Sequence, residues 1–219
     1  MMGKTHRAAG GLIALCGFVV AKRYGLLNPA INDVTELLLL YGTSYYGSIA
    51  ADNDHVWVSS PCNDPLSWII NKILHLTTPV RKEMEEKGID KGIIYKLSGV
   101  FDARHRSWQT HSELPLLIIL YFLSIMNRSY EWILLLGFGL GYLSHALMDM
   151  LSSGGYHFLI AKVINKAIHK RVLPEKIRLV PRDRFFNTGG TFEAGVYRVI
   201  NFCSTLLALY VVYLVVWSV

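Results

Sequence analysis

Apolar residues along this chain gather into runs whose ends are marked by polar residues, and the spacing within the runs is helical. The first run, Ala8 to Ala21, follows Lys4 and Arg7 and closes at Lys22 and Arg23. Its length suits a signal peptide or a short Gly-containing membrane helix. A weak small-residue cleavage site favours the helix, which retains His6. After the turn 27–33, Asp33 and Glu36 have capping-box spacing and predict a second helix running to about Ala51. At the helical rise it spans about 27 Å, close to a bilayer core. The runs Leu114 to Met126 and Trp132 to Asp149 flank the short connection Asn127 to Glu131, which predicts a helical hairpin. Val196 to Val219 is the last run.

Two stretches between these runs read differently. In 56–104, Leu66, Ile69, Ile70, Ile73 and Leu74 recur at helical spacing with polar residues between them, which predicts an interfacial helix. The charge run Arg81 to Lys91 reads as a solvated, partly helical surface. In 152–193, Phe158, Leu159, Val163, Ile164, Ala167 and Ile168 alternate with Lys162, Lys166 and Lys170. That basic amphipathic segment suits an anionic leaflet. The expected fold is therefore an all-α integral membrane protein with about four to five transmembrane helices plus interfacial amphipathic helices. Residues 1–219 form a single membrane-embedded domain, with 56–104 and 152–193 as membrane-surface segments.

Composition agrees: 52% of residues are hydrophobic and 17% charged, more apolar than ordinary soluble domains. The formal charge of +6 comes without a basic-aromatic module, so no direct nucleic-acid partner is expected. Membrane lipids are the expected contact. Cys16, Cys62 and Cys203 show no Cys-x-x-Cys spacing and imply no disulfide framework.

The chemistry lies at the helix ends. His145 and Asp149, four apart at the end of the fourth run, present an imidazole and a carboxylate on one face. A carboxylate at a helix C-terminus meets the negative end of the macrodipole and calls for a cation. Counting five spans, His6, Asp52, Asp54, His55, His105, His111, His145 and Asp149 all fall on one side of the membrane, with Glu193 as a candidate additional ligand. Of the 22 Lys and Arg, only Lys22, Arg23 and Arg128 are assigned to the other side, and the positive-inside rule then puts the site in the cytoplasm. Three or four ligands per ion make the set sufficient for two divalent metals, with Zn or Mn best suited to imidazole-rich, thiolate-free ligation. His105 and His111, six apart, would lie about 120° from one another on a continuous helix, so the segment bends or the two serve different roles.

Together, His6, the Asp52-x-Asp54-His55 cluster, His105 with Arg106, Thr110-His111-Ser112, Ser144-His145 with Asp149, Gly154-Gly155 and the late Gly189-Gly190 with Glu193 resemble the YdjM-type family. Its members are described as membrane-bound metal-dependent hydrolases, or as LexA-binding hydrolases associated with the inner membrane. The resemblance covers most of the chain and implies a bacterial-type inner, cytoplasmic membrane location, a multi-pass topology and a repressor-type protein as a partner. The function expected is metal-dependent hydrolysis, most simply of a phosphoester on a lipid or lipid-linked substrate at the cytoplasmic face. Asp54, His111 and Arg106 are the candidate catalytic residues. Arg106 or Arg104 would neutralise phosphate charge, and Thr110 or Ser112 would orient a ligand. The rivals are a metal-stabilised regulatory or tethering protein without turnover and a membrane di-iron oxidoreductase, whose dense paired-histidine boxes are absent. A transporter would need charges in mid-span.

Overall fold

The computed structural model describes residues 3–54, 83–89, 92, 111–152, 155–179 and 190–217. Six α-helices carry the described fold: α1 (Gly3–Arg23), α2 (Asp33–Ala50), α3 (Leu114–Ile125), α4 (Tyr130–Met150), α5 (Leu159–Ala167) and α6 (Thr191–Trp217). A 3-10 turn, Ala51–Asp54, continues α2. A two-residue antiparallel ladder, β1 (Tyr156–His157) with β2 (Lys176–Ile177), brackets α5. This small ladder departs from the all-α expectation.

The N-terminus of α2 is shifted by one residue from the capping-box reading. Asn32, in extended conformation, is the N-cap and its side chain accepts from Thr35 N. Glu36 instead accepts from Asn28 N, back in the preceding turn. Ser129 caps α4 in the same manner, accepting from Trp132 N.

Two turns define one end of the bundle. The Arg128 guanidinium donates to Gly25 O at 2.8 Å, and Asn28 Nδ2 donates to Arg128 O at 2.5 Å. The α1–α2 and α3–α4 connections are thereby joined. The start of α1, the end of α2, the start of α3 and the end of α4 therefore share the opposite end.

The tightest packing is between α2 and α4, and small residues make it so. Gly137 and Gly141, four apart, lie on one face of α4, the spacing that lets helix backbones approach. A Cβ on Gly141 would sit 2.0 Å from Ser44 O, and one on Gly47 would sit 2.3 Å from Phe138 O. Helix α1 approaches as closely: a Cβ on Gly10 would lie 2.9 Å from Ser44 O, and Ser44 Oγ donates to Gly10 O at 2.8 Å. Beyond this polar seam the core is apolar, with Ala14, Leu15, Phe18, Leu40, Ile133 and Val211 buried together.

Among the described residues, two helices are long and apolar enough to cross a membrane, α4 with 21 residues and α6 with 27. Helix α3 is strongly apolar but has 12 residues, about 18 Å at the helical rise, short of a core of about 30 Å. Helices α1 and α2 have the length, but Lys4, Arg7, Lys22 and Arg23 at the ends of α1, and the Thr, Ser, Tyr and Gly of α2, dilute their hydropathy. Large apolar side chains are exposed along α3 and α6, among them Leu120, Tyr121, Phe202 and Leu209.

Candidate metal centre

Five residues the sequence reading assigned to the site meet at the end of the bundle away from the joined turns. His6 comes from the first turns of α1, Asp52 from the 3-10 turn after α2, His111 from the segment before α3, and His145 and Asp149 from the last turns of α4. Each element delivers its ligand because its apolar stretch stops there. His6, His111, His145 and Asp149 are buried, and Asp52 retains 17% side-chain exposure.

The donor atoms cluster closely. His145 Nε2 lies 3.4 Å from Asp149 Oδ2 and 3.9 Å from Asp52 Oδ1. His111 Nε2 lies 3.6 Å from Asp52 Oδ1 and 3.8 Å from Asp149 Oδ2, and His6 Nε2 lies 3.9 Å from Asp149 Oδ1. The His6 and His145 rings stack at 4.1 Å between centroids, and His111 meets His145 edge-on at 5.2 Å. Ligands held at about 2.1 Å from a tetrahedral ion lie about 3.4 Å from one another. The spacings match a shared cation better than direct hydrogen bonds.

Buried polar atoms point the same way. His6 Nδ1 and His145 Nε2 are buried and make no hydrogen bond of normal geometry among the described residues. Each such orphan costs about 1–3 kcal/mol, a penalty a bound cation removes at His145 Nε2. The ring of His145 is already oriented for this. Its Nδ1 lies 2.8 Å from Ser48 O, and because a carbonyl only accepts, Nδ1 carries the proton and Nε2 keeps its lone pair.

Among the described residues, two three-residue groups can hold an ion, His6 with Asp52 and His145, and His111 with His145 and Asp149. Both draw on His145, whose single free lone pair serves one ion. The described donors therefore make one complete site. Asp149 turns Oδ1 towards His6 and Oδ2 towards His111 and His145. Asp54 falls in the 3-10 turn, with its side chain outside the description. His55, Arg104, His105, Arg106, Thr110 and Gly154 lie outside the described residues.

Glu193, the candidate additional ligand, is buried at the start of α6 and accepts from Thr5 Oγ1 at 2.7 Å. It braces the residue beside His6 and belongs to neither ligand group. Burial opposes ionisation of Asp52, yet the His111, His145 and His6 imidazoles around it outweigh burial and hold its carboxyl down at about 2. It is an anion throughout the physiological range.

Two supports escaped the sequence reading. The Ser48 carbonyl offers no side-chain signal, although the small residues Ser44, Ser48, Gly137 and Gly141 at spacing four mark where α2 and α4 touch. Glu113, two residues after His111, accepts from Leu159 N at 2.9 Å and from Ile160 N, so it caps α5, whose own N-cap Phe158 makes no side-chain bond. Gly155, which the sequence reading did single out, turns the chain out of α4 at φ +68°, where a Cβ would lie 2.9 Å from Ile177 O.

A family model described as YdjM inner membrane protein matches residues 1–218. No curated protein and no solved structure matches the chain.

Proposed function

This chain belongs to the YdjM inner membrane protein family, and from that premise we propose that it is a multi-pass, membrane-bound, metal-dependent hydrolase. Its substrate is a phosphoester of a lipid or lipid-linked molecule, met at the cytoplasmic face. The observation that carries the reading is the convergence of His6, Asp52, His111, His145 and Asp149 in a largely buried cluster, with neighbouring donor atoms 3.4–3.9 Å apart.

Five helices, α1, α2, α3, α4 and α6, alternate in direction; α1, α2, α4 and α6 cross the bilayer, and the 12-residue α3 lies within it beside them. The site then sits at headgroup depth, on the side holding most of the Lys and Arg, which the positive-inside rule makes cytoplasmic. Divalent Zn or Mn, when bound, supplies Lewis acidity and brings the ionisation of water near neutral pH. The chain's own residues do the rest. His145 is held in one tautomer by Ser48 O, Asp52 stays ionised, and Asp149 spans the imidazoles of His6 and His111. Asp54, His111 and Arg106 are the proposed catalytic set, Arg106 neutralising phosphate charge.

A second reading draws on one feature. Structural metal sites are closed, whereas catalytic ones keep an open position, and four of the five ligands are buried, leaving Asp52 as the exposed edge. A metal-stabilised regulatory or tethering protein would look the same. Purified protein in lipid nanodiscs separates the two: metal content is measured beside hydrolysis of phosphatidic acid and of an isoprenoid diphosphate. Turnover that is lost on chelation and restored by Zn or Mn supports the hydrolase. Tightly bound metal with no turnover on either lipid supports the structural role.

A further inference from the structure

Helix α5 and the loop after it carry features that the metal centre does not use. Ile160, Val163, Ile164, Ile168 and Val172 are exposed. On a helical projection of about 100° per residue, Leu159, Val163, Ala167, Ile160, Ile164 and Ile168 fill an arc of about 180°. Ala161 and Asn165 occupy the face that packs on the protein. Lys162 and Lys166 lie along the border of the apolar arc that faces away from the protein body.

Beside those lysines is a pocket of about 320 Å³ lined by Lys162, Asn165, Lys166, His169, Lys170, Arg171 and Glu175. Four of its linings are permanent cations and one is a carboxylate. The loop beside it is held in shape by one side chain: Asn165 Oδ1 accepts from Val172 N and Leu173 N at 2.9 Å, and its Nδ2 donates to Leu173 O at 2.8 Å and to Glu175 Oε1 at 3.3 Å. His169 adopts a positive φ of 52° to make the turn. Glu113 fixes the other end of α5, two residues from His111.

We propose that α5 and its following loop form a binding site for the phosphate headgroup of an anionic phospholipid, with Lys162, Lys166, Lys170 and Arg171 around the phosphate and the row Ile160, Val163, Ile164 and Ile168 entering the acyl boundary. Charge complementarity selects the anion, and the adjoining apolar arc selects a lipid over free phosphate. A soluble anion gains nothing from five exposed aliphatic side chains, whereas a bilayer surface removes them from water. The site stands on observations separate from the metal centre, so it holds whether or not that centre turns over a substrate.

Hydrogen–deuterium exchange on the full chain in nanodiscs tests it, comparing phosphatidylcholine discs with discs that also contain phosphatidylglycerol. Each basic residue near an anionic leaflet contributes about fivefold in binding, so the amides of 159–172 should exchange more slowly with phosphatidylglycerol present. That protection should disappear in K162Q/K166Q/K170Q/R171Q and weaken in R171Q alone, with α4 exchanging as in the parent. Equal exchange in both discs overturns the proposal, as does undiminished protection in the charge variants. Equal protection by inorganic phosphate in phosphatidylcholine discs overturns the lipid source in favour of a free-anion site.

Discussion

Nδ1 of His145 on α4 meets the main-chain oxygen of Ser48 on α2 at 2.8 Å. That bond fixes the imidazole in the tautomer whose Nε2 faces Asp52 and Asp149, so the geometry of the centre depends on how closely two helix backbones approach. His145→Ala removes the donor that both ligand groups share. Metal affinity should fall by more than about a hundredfold, beyond the 10–100-fold typical of outer-shell changes. Ser48→Ala keeps the carbonyl and should leave metal content intact. Elemental analysis of the detergent-purified proteins decides it, and full occupancy in His145→Ala would falsify the assignment.

The same approach makes Gly141 sensitive to size. A Cβ there meets Ser44 O at 2.0 Å, main chain that cannot rotate away, so Gly141→Leu should destabilise by about 3 kcal/mol or more through overpacking. Gly42, in α2, has nothing within 4 Å of its Cβ position. Gly42→Ala should be neutral or stabilising by up to about 1 kcal/mol. Thermal unfolding in detergent compares them, and metal content should fall with Gly141→Leu because Ser48 O moves with α2.

Much of this arrangement was legible because in a membrane protein polar residues at helix ends are conspicuous. The runs ending at Ala51 and at Asp149 and the run beginning at Leu114 put Asp52, Asp149 and His111 at one level before any contact was known. What was not legible were relations carried by the main chain or across long separations: the Ser48 carbonyl, the Glu113 cap on α5, and the Thr5–Glu193 pair. Asn32 displaced Asp33 as the α2 cap because both are good capping residues and only the backbone conformation at Asn32 decides. The run Leu114 to Met126 came out as α3 within one residue, since Pro115 fixes its first turn and Met126 is already extended.

Glu113 links the ligand loop to the surface helix. Glu113→Gln should loosen the first turn of α5, since the carboxylate serves two orphan helix donors there, at a cost of about 1 kcal/mol. Exchange of the amides of Leu159 and Ile160 should accelerate about fivefold while α4 stays unchanged. Unaltered exchange at those two positions would show that the cap is energetically silent.

Tyr156 supplies a pH signature at the edge of the site. Burial pushes its phenol up, reinforced by the negative charges of Glu113 and Asp149. A folded-state pKa above the unfolded value of about 10 means the native state holds its proton longer. The contribution to stability is complete below pH 10 and is lost as pH rises from there towards the folded pKa. Melting temperature should therefore fall more steeply above pH 10 in the parent than in Tyr156→Phe, which has no such proton to lose. Parallel curves would remove Tyr156 from the account.

Glu193 distinguishes a ligand from a brace. Its carboxylate is buried and accepts from Thr5 Oγ1 at 2.7 Å, and Thr5 precedes His6, so the pair ties the start of α6 to the turn of α1 that delivers an imidazole. A direct ligand and an outer support respond differently to substitution. If Glu193 acts through Thr5, then Glu193→Gln and Thr5→Val should each weaken metal binding by about tenfold, the lower range for outer-shell partners. The double variant should be little worse than either, because both changes break one interaction. A coordinating Glu193 would instead give a loss comparable with Asp149→Asn, additive with Thr5→Val. Competition titration against a chelator on the four proteins measures all of these affinities together. The non-additive result would assign Glu193 to holding α1 in register with α4, which is what brings His6 onto the face of His145.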